Sequence, residues 1–182
     1  MRTSLKILAE ELNDIKMCKN VKYEFIKGSI FNTERFKLEL VVFFVPCGLT
    51  SLRYDSKYFL LKNGEFLKEI NNFKLFKSKN LKNNYLKYII LDENIDNELY
   101  SEFTLYELVN TVLNLSSNLG VKSLGMNGVR LENPSYRSSG EPERILIESV
   151  DKWLNNNKES SIEKVVFIDK RGGFNNCTKS IQ

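Results

Sequence analysis

The feature that most constrains this chain is the change of apolar period along its C-terminal half. Between Phe103 and Leu119, residues Leu105, Leu108, Val109, Val112, Leu115 and Leu119 fall at helical spacing, and Gly120 follows where a helix favours a left-handed cap. Val121 to Met126 reads as a short strand, broken by Asn127-Gly128. A polar loop, RLENPSYRSSGEP, leads into a second helix from about Pro142, a favoured first-turn residue. That helix carries Ile145, Leu146, Ser149, Val150, Trp153 and Leu154. Ile162 to Ile168 (IEKVVFI) is a final strand, and Asp169 to Phe174 forms the loop beyond it. Strand and helix alternating through short links predict a largely parallel sheet with helices on both faces, a three-layer α/β fold.

The N-terminal half is less regular. Leu5, Leu8, Ala9, Leu12 and Ile15 predict an amphipathic helix over residues 4–17, with Ser4 as N-cap. Val21 to Lys27 (VKYEFIK) alternates as a half-covered strand and stops at Gly28-Ser29. Lys37 to Val45 (KLELVVFFV) becomes continuously apolar, as a strand covered on both faces does, and ends at Pro46 and Gly48. From Thr50 to Lys87 the pattern loosens: Asn63-Gly64 resembles a turn, and Phe66, Leu67, Ile70 and Phe73 are spaced for a short helix. Lys68, Lys74, Lys77, Lys79, Lys82 and Lys87, interleaved with Asn and aromatics, read as an exposed segment before the short strand Tyr88 to Leu91.

At 182 residues, with 42% hydrophobic and 27% charged, the chain fits one globular domain, expected over residues 1–175. Residues 50–87 are expected as an insertion and 176–182 as a polar tail. Cys18, Cys47 and Cys177 share no zinc or redox spacing, and free thiols suit a reducing cytoplasm. No apolar stretch approaches the roughly 20 residues that span a bilayer, so no membrane association is expected. The sequence has no histidine, which excludes Ser-His-Asp and Cys-His sites and the commonest metal ligand. Neither a metal nor a cofactor is expected. The formal charge of +4 is compatible with an anionic ligand without implying nucleic acid.

Ligands of open α/β sheets bind beyond the carboxyl ends of strands, which singles out Gly28–Phe31, Cys47–Ser51, Gly125–Arg130 and Asp169–Phe174. Arg130 and Arg137 offer donor forks for an anion, Tyr136 and Phe174 are candidate base-stacking aromatics, and Asp55 and Asp169 are candidate acceptors for hydroxyl or amine groups.

The segment KSLGMNGVRLENPSYRSSGEPERILIESVDKWL, followed by IEKVVFID, resembles the C-terminal half of a macro domain. In that family a strand enters a glycine-containing loop whose amides hold the diphosphate of ADP-ribose. YEFIKGSIFN followed by KLELVVFFVPCG is similar to the family's opening strand, its Gly-Asp-Ile-Thr type turn and its next buried strand. Ser29 stands where the family usually carries its adenine-binding Asp. Val45-Pro46-Cys47-Gly48-Leu49 replaces the usual Asn-Ala-Ala-Asn stretch and glycine run.

The resemblance implies a three-layer, mostly parallel macro-like fold and a nucleotide-type partner, ADP-ribose or a relative, that the chain senses or sequesters. The implied ligand-binding set is Gly28, Ser29, Ile30, Gly48, Leu49, Gly125, Asn127, Gly128, Val129, Arg130 and Phe174. A binding module is expected rather than an enzyme, with an ADP-ribosyl hydrolase using a substrate-positioned water as the catalytic version. The rival reading keeps the fold without the pocket, as a protein- or nucleic-acid-interaction domain whose lysine-rich stretch meets phosphates.

Overall fold

The computed structural model describes residues 21–46, 50–71, 73–79, 85–94, 102–128 and 141–170. Seven strands form one sheet: β1 (Lys22–Lys27), β2 (Leu40–Pro46), β3 (Gly64–Ile70), β4 (Phe73–Ser78), β5 (Tyr88–Asn94), β6 (Ser123–Asn127) and β7 (Lys164–Asp169). The described helices are α1 (Thr33–Phe36), α2 (Thr50–Asn63), α3 (Glu102–Asn118) and α4 (Glu141–Asn156). Strand order is β1-β7-β6-β2-β5-β4-β3. The first five of these run parallel, while β4 and β3 are antiparallel to their neighbours.

Apolar residues on both faces of the central strands explain the layers. Leu40, Val42 and Phe44 of β2 join one core with α3 (Leu105, Val109, Val112, Leu113) and α4 (Leu146, Val150, Leu154). Val41 and Phe43 point the other way, into a core closed by Phe36 of α1 and Leu60 of α2. The expected three-layer arrangement follows directly. Helix α3 ends as its sequence predicts, with Gly120 at φ 70°. Among the described residues no helix is long and apolar enough to cross a membrane.

Residues 50–87 depart from expectation. Asn63-Gly64 is no isolated turn but the junction where α2 passes directly into β3. The expected helix over Phe66–Phe73 is instead a β-hairpin, turned at Asn71 with φ 53°. The apolar spacing there misleads because Phe66 and Leu67 are exposed, whereas Phe73 is buried through sheet alternation with Leu75. A bulge between Phe66 and Lys68 breaks the period-two pattern further. The expected helix over 4–17 lies outside the described residues.

Candidate functional site

At the carboxyl edge of the parallel strands, the chain leaves β1 through a tight turn. The Gly28 amide donates to Asp169 O at 3.0 Å, extending the β1–β7 ladder by one residue. Ser29 then closes the turn twice: its carbonyl accepts from Asn32 N at 3.2 Å and its Oγ accepts from Phe31 N at 3.3 Å. The Ile30 side chain is buried in the α1–α2 core, so only its backbone faces the edge. Among the described residues the amides of Ser29 and Ile30 make no hydrogen bond. Two such adjacent donors suit a carbonyl, ring nitrogen or phosphate oxygen.

The second turn, after β6, is built differently from its sequence expectation. Gly125 lies within β6, not in a loop, opposite Val41 and Val166. A Cβ there would stand 2.5 Å from Leu38 Cδ1, so any other residue forces the buried Leu38 side chain to shift. Asn127 has a structural task as well. Phe44 N donates to its Oδ1 at 2.7 Å, while its Nδ2 donates to Phe44 O at 2.8 Å and to Gly128 O at 2.9 Å. The side-chain amide thus continues the β2–β6 pairing past Val42 and Met126, the last backbone partners of the two strands.

Gly128 is the residue that opens to the edge. Its Cβ position lies 3.8 Å from Glu143 Oε1 and 3.9 Å from Asp169 Cγ. Glu143 occupies the first turn of α4. Burial raises its pKa above the ordinary value, its own backbone amide partly offsets this, and the nearby Asp169 carboxylate adds a smaller rise. These two acids sit on separate elements joined by the α4–β7 crossover, so no sequence spacing marks them as a pair.

Asp55 is carried on helix α2 rather than a loop, and pairs with Lys170, just past β7, at 3.6 Å. The edge therefore brings together Gly28, Ser29, Ile30, Asn127, Gly128, Asp169 and Asp55. Gly48, Leu49, Val129, Arg130, Tyr136, Arg137 and Phe174 lie outside the described residues. In the hairpin, Glu65 stands opposite Lys77 and Glu69 opposite Lys74, which interleaves acids with part of the lysine run.

Neither models of known protein families nor curated proteins match the sequence. Solved structures do match by shape. The Trypanosoma brucei macrodomain in complex with ADP-ribose aligns over 88% of this chain and 69% of its own, at TM-score 0.57 and 12% identity. The same macrodomain in complex with ADP aligns over the same shares at TM-score 0.55 and 12% identity. A variant of the Oceanobacillus iheyensis macrodomain aligns over 90% of this chain and 92% of its own, at TM-score 0.53 and 13% identity. The chain has the macrodomain fold.

Proposed function

We propose that this chain is a binding module for ADP-ribose or a related nucleotide derivative, which it senses or sequesters. The observation that carries the reading is the pair of uncommitted amides at Ser29 and Ile30. They stand at the carboxyl edge of a sheet shared with a macrodomain described with ADP-ribose and with ADP. Only β7 separates β1 from β6, so the two turns are two strand spacings, roughly 10 Å, apart. That distance suits a nucleoside end at Gly28–Ile30 and a diphosphate at Gly128, and the proposed ligand-binding set also includes Gly48, Leu49, Val129, Arg130 and Phe174.

Two acids beside Gly128 oppose an anion unless one is neutral. Burial raises the pKa of Glu143, so it takes up a proton more readily than an ordinary glutamate as pH falls, and a proton there removes its repulsion of phosphate. Asn127 contributes by holding the turn, through its bonds to Phe44 and Gly128, and Gly125 by packing beneath it.

Gly128→Asp tests the reading, because it adds a third carboxylate beside Glu143 and Asp169. Calorimetric titration with ADP-ribose is expected to show binding for the wild type and none for this variant. Gly128→Ala, whose Cβ makes only ordinary contacts, is the folding control. Undiminished affinity in Gly128→Asp would show that the diphosphate lies elsewhere.

A further inference from the structure

The opposite edge of the sheet, where the parallel strands begin, gathers cations that the proposed nucleotide site does not use. Register fixes this amino edge. Leu40 of β2 is level with Leu124 of β6 and Tyr88 of β5, Tyr88 with Lys77 of β4, and Gly64 of β3 with Ser78 of β4. From β6 to β3 the edge spans four strand spacings, roughly 20 Å. Lys37 precedes β2, and Lys62 sits in the last turn of α2, just before β3. Lys79 follows β4, and its N–H donates to Asn63 O at 2.8 Å, which sets it beside Lys62. Arg35, Lys62, Ser78 and Leu86 border one cavity of about 580 Å³, so their segments converge here.

The charge balance of the edge is uneven. Glu39 pairs with Lys87 Nζ at 2.9 Å and accepts from Lys122 N at 2.7 Å, and Glu163 pairs with Lys122 Nζ at 3.4 Å. Glu65 stands opposite Lys77. Arg35, Lys37, Lys62 and Lys79 are exposed and have no carboxylate partner among the described residues, and exposed Glu34 is the acid left to oppose them there. These cations are strung along the edge rather than focused on one point, so they suit a ligand whose negative charge repeats along a chain. Among them Tyr85 is half exposed, with Lys37 Nζ 5.8 Å from its ring centroid. An exposed aromatic within a basic strip is a platform on which an unpaired base stacks.

We infer that the amino edge binds single-stranded nucleic acid. Its phosphates follow Arg35, Lys37, Lys62 and Lys79, and an unpaired base stacks on Tyr85. A duplex, whose bases are already stacked on one another, offers Tyr85 no free base face, so the surface discriminates against it. The inference stands on this edge alone and does not need the ADP-ribose reading of the carboxyl edge.

The test is fluorescence anisotropy of the full chain with labelled oligo-U, oligo-dT and a duplex of the same length, at increasing salt. Both single strands are expected to bind to similar extents, because phosphates and base faces are common to them, and more tightly than the duplex. Log affinity should fall against log salt with a slope of about −2 to −3, roughly −0.7 for each phosphate met by a cation. Lys62→Gln combined with Lys79→Gln should weaken binding and cut that slope by about half. Tyr85→Ala should weaken binding about tenfold, whereas Tyr85→Phe, which keeps the ring, should not. No binding of the single strands, duplex binding as tight as theirs, or a salt slope untouched by the double substitution would overturn the inference. Displacement of oligo-U by ADP-ribose would overturn it too, by placing the polynucleotide at the carboxyl edge.

Discussion

The side-chain amide of Asn127 is bonded to the backbone of Phe44 in both directions, as acceptor from its N–H at 2.7 Å and as donor to its carbonyl at 2.8 Å. Both residues are buried, so neither backbone group has water as an alternative partner. Asn127→Ala removes both bonds to Phe44 and is expected to cost roughly 2–4 kcal/mol, the order expected for two buried hydrogen bonds broken on one side. Chemical denaturation measures this. A loss below about 0.5 kcal/mol, the range of an ordinary surface change, would mean the side chain does not hold the strands together.

Gly125 supports the same turn from below through its contact with Leu38. Gly125→Ala puts a methyl 2.5 Å from a fully buried leucine methyl and is expected to destabilise by about 1–3 kcal/mol, the usual cost of overpacking. Leu38→Ala opens the space the new methyl needs, so the double variant should be more stable than the two single losses predict. Simple additivity of the three stabilities would refute the contact.

Glu143 gives a pH signature with a defined sign. Burial and then Asp169 raise its pKa, so the folded chain holds this proton more tightly than the unfolded one. Its contribution to stability is fully present below the ordinary carboxylate range and is lost as pH rises through the raised value. Glu143→Gln should therefore melt higher than wild type above that window and converge with it at lower pH. The lowered pKa values of Glu24 and Glu39 act in the opposite direction. Burial, the largest influence on each, raises it, but is outweighed by lysine contacts at Glu24 and by Lys122 N–H and Lys87 at Glu39. Their contribution is lost as pH falls through the lowered values, equally in both proteins, so it cancels in the difference. Parallel melting curves across pH would contradict the assignment. Nucleotide affinity should also strengthen as pH falls through the Glu143 window, and this dependence should be absent in Glu143→Gln.

The architecture was legible wherever burial follows one period. β2 announces itself through LVVFF, and α3 and α4 through stripes such as Leu105-Val109-Val112 and Leu146-Val150-Trp153, all of which are buried. Helix α2 did not, because its apolar residues do not track burial: Tyr58 and Leu61 are exposed, while Ser56 is covered. The turn at Gly28 was visible from its glycine and the strand before it. The roles of Gly125 and Asn127 were not. A glycine packed against a leucine far away in sequence, and an amide used as a surrogate peptide, look the same in sequence as loop residues that meet a ligand. Glu143 and Asp169 were hidden for a related reason, since only the crossover from α4 to β7 makes them neighbours.

The most direct test of the central claim is the melting temperature of the wild-type chain with ADP-ribose at low and high salt, alongside NAD, AMP, cyclic nucleotides and short RNA. A ligand bound to the native state at a hundredfold excess over Kd adds about 2.7 kcal/mol, which for a chain of this size raises Tm by roughly 5–10 °C. The account predicts such a rise with ADP-ribose or a close relative, retained in high salt. No shift with any nucleotide, or a shift with RNA alone that vanishes in salt, would contradict it.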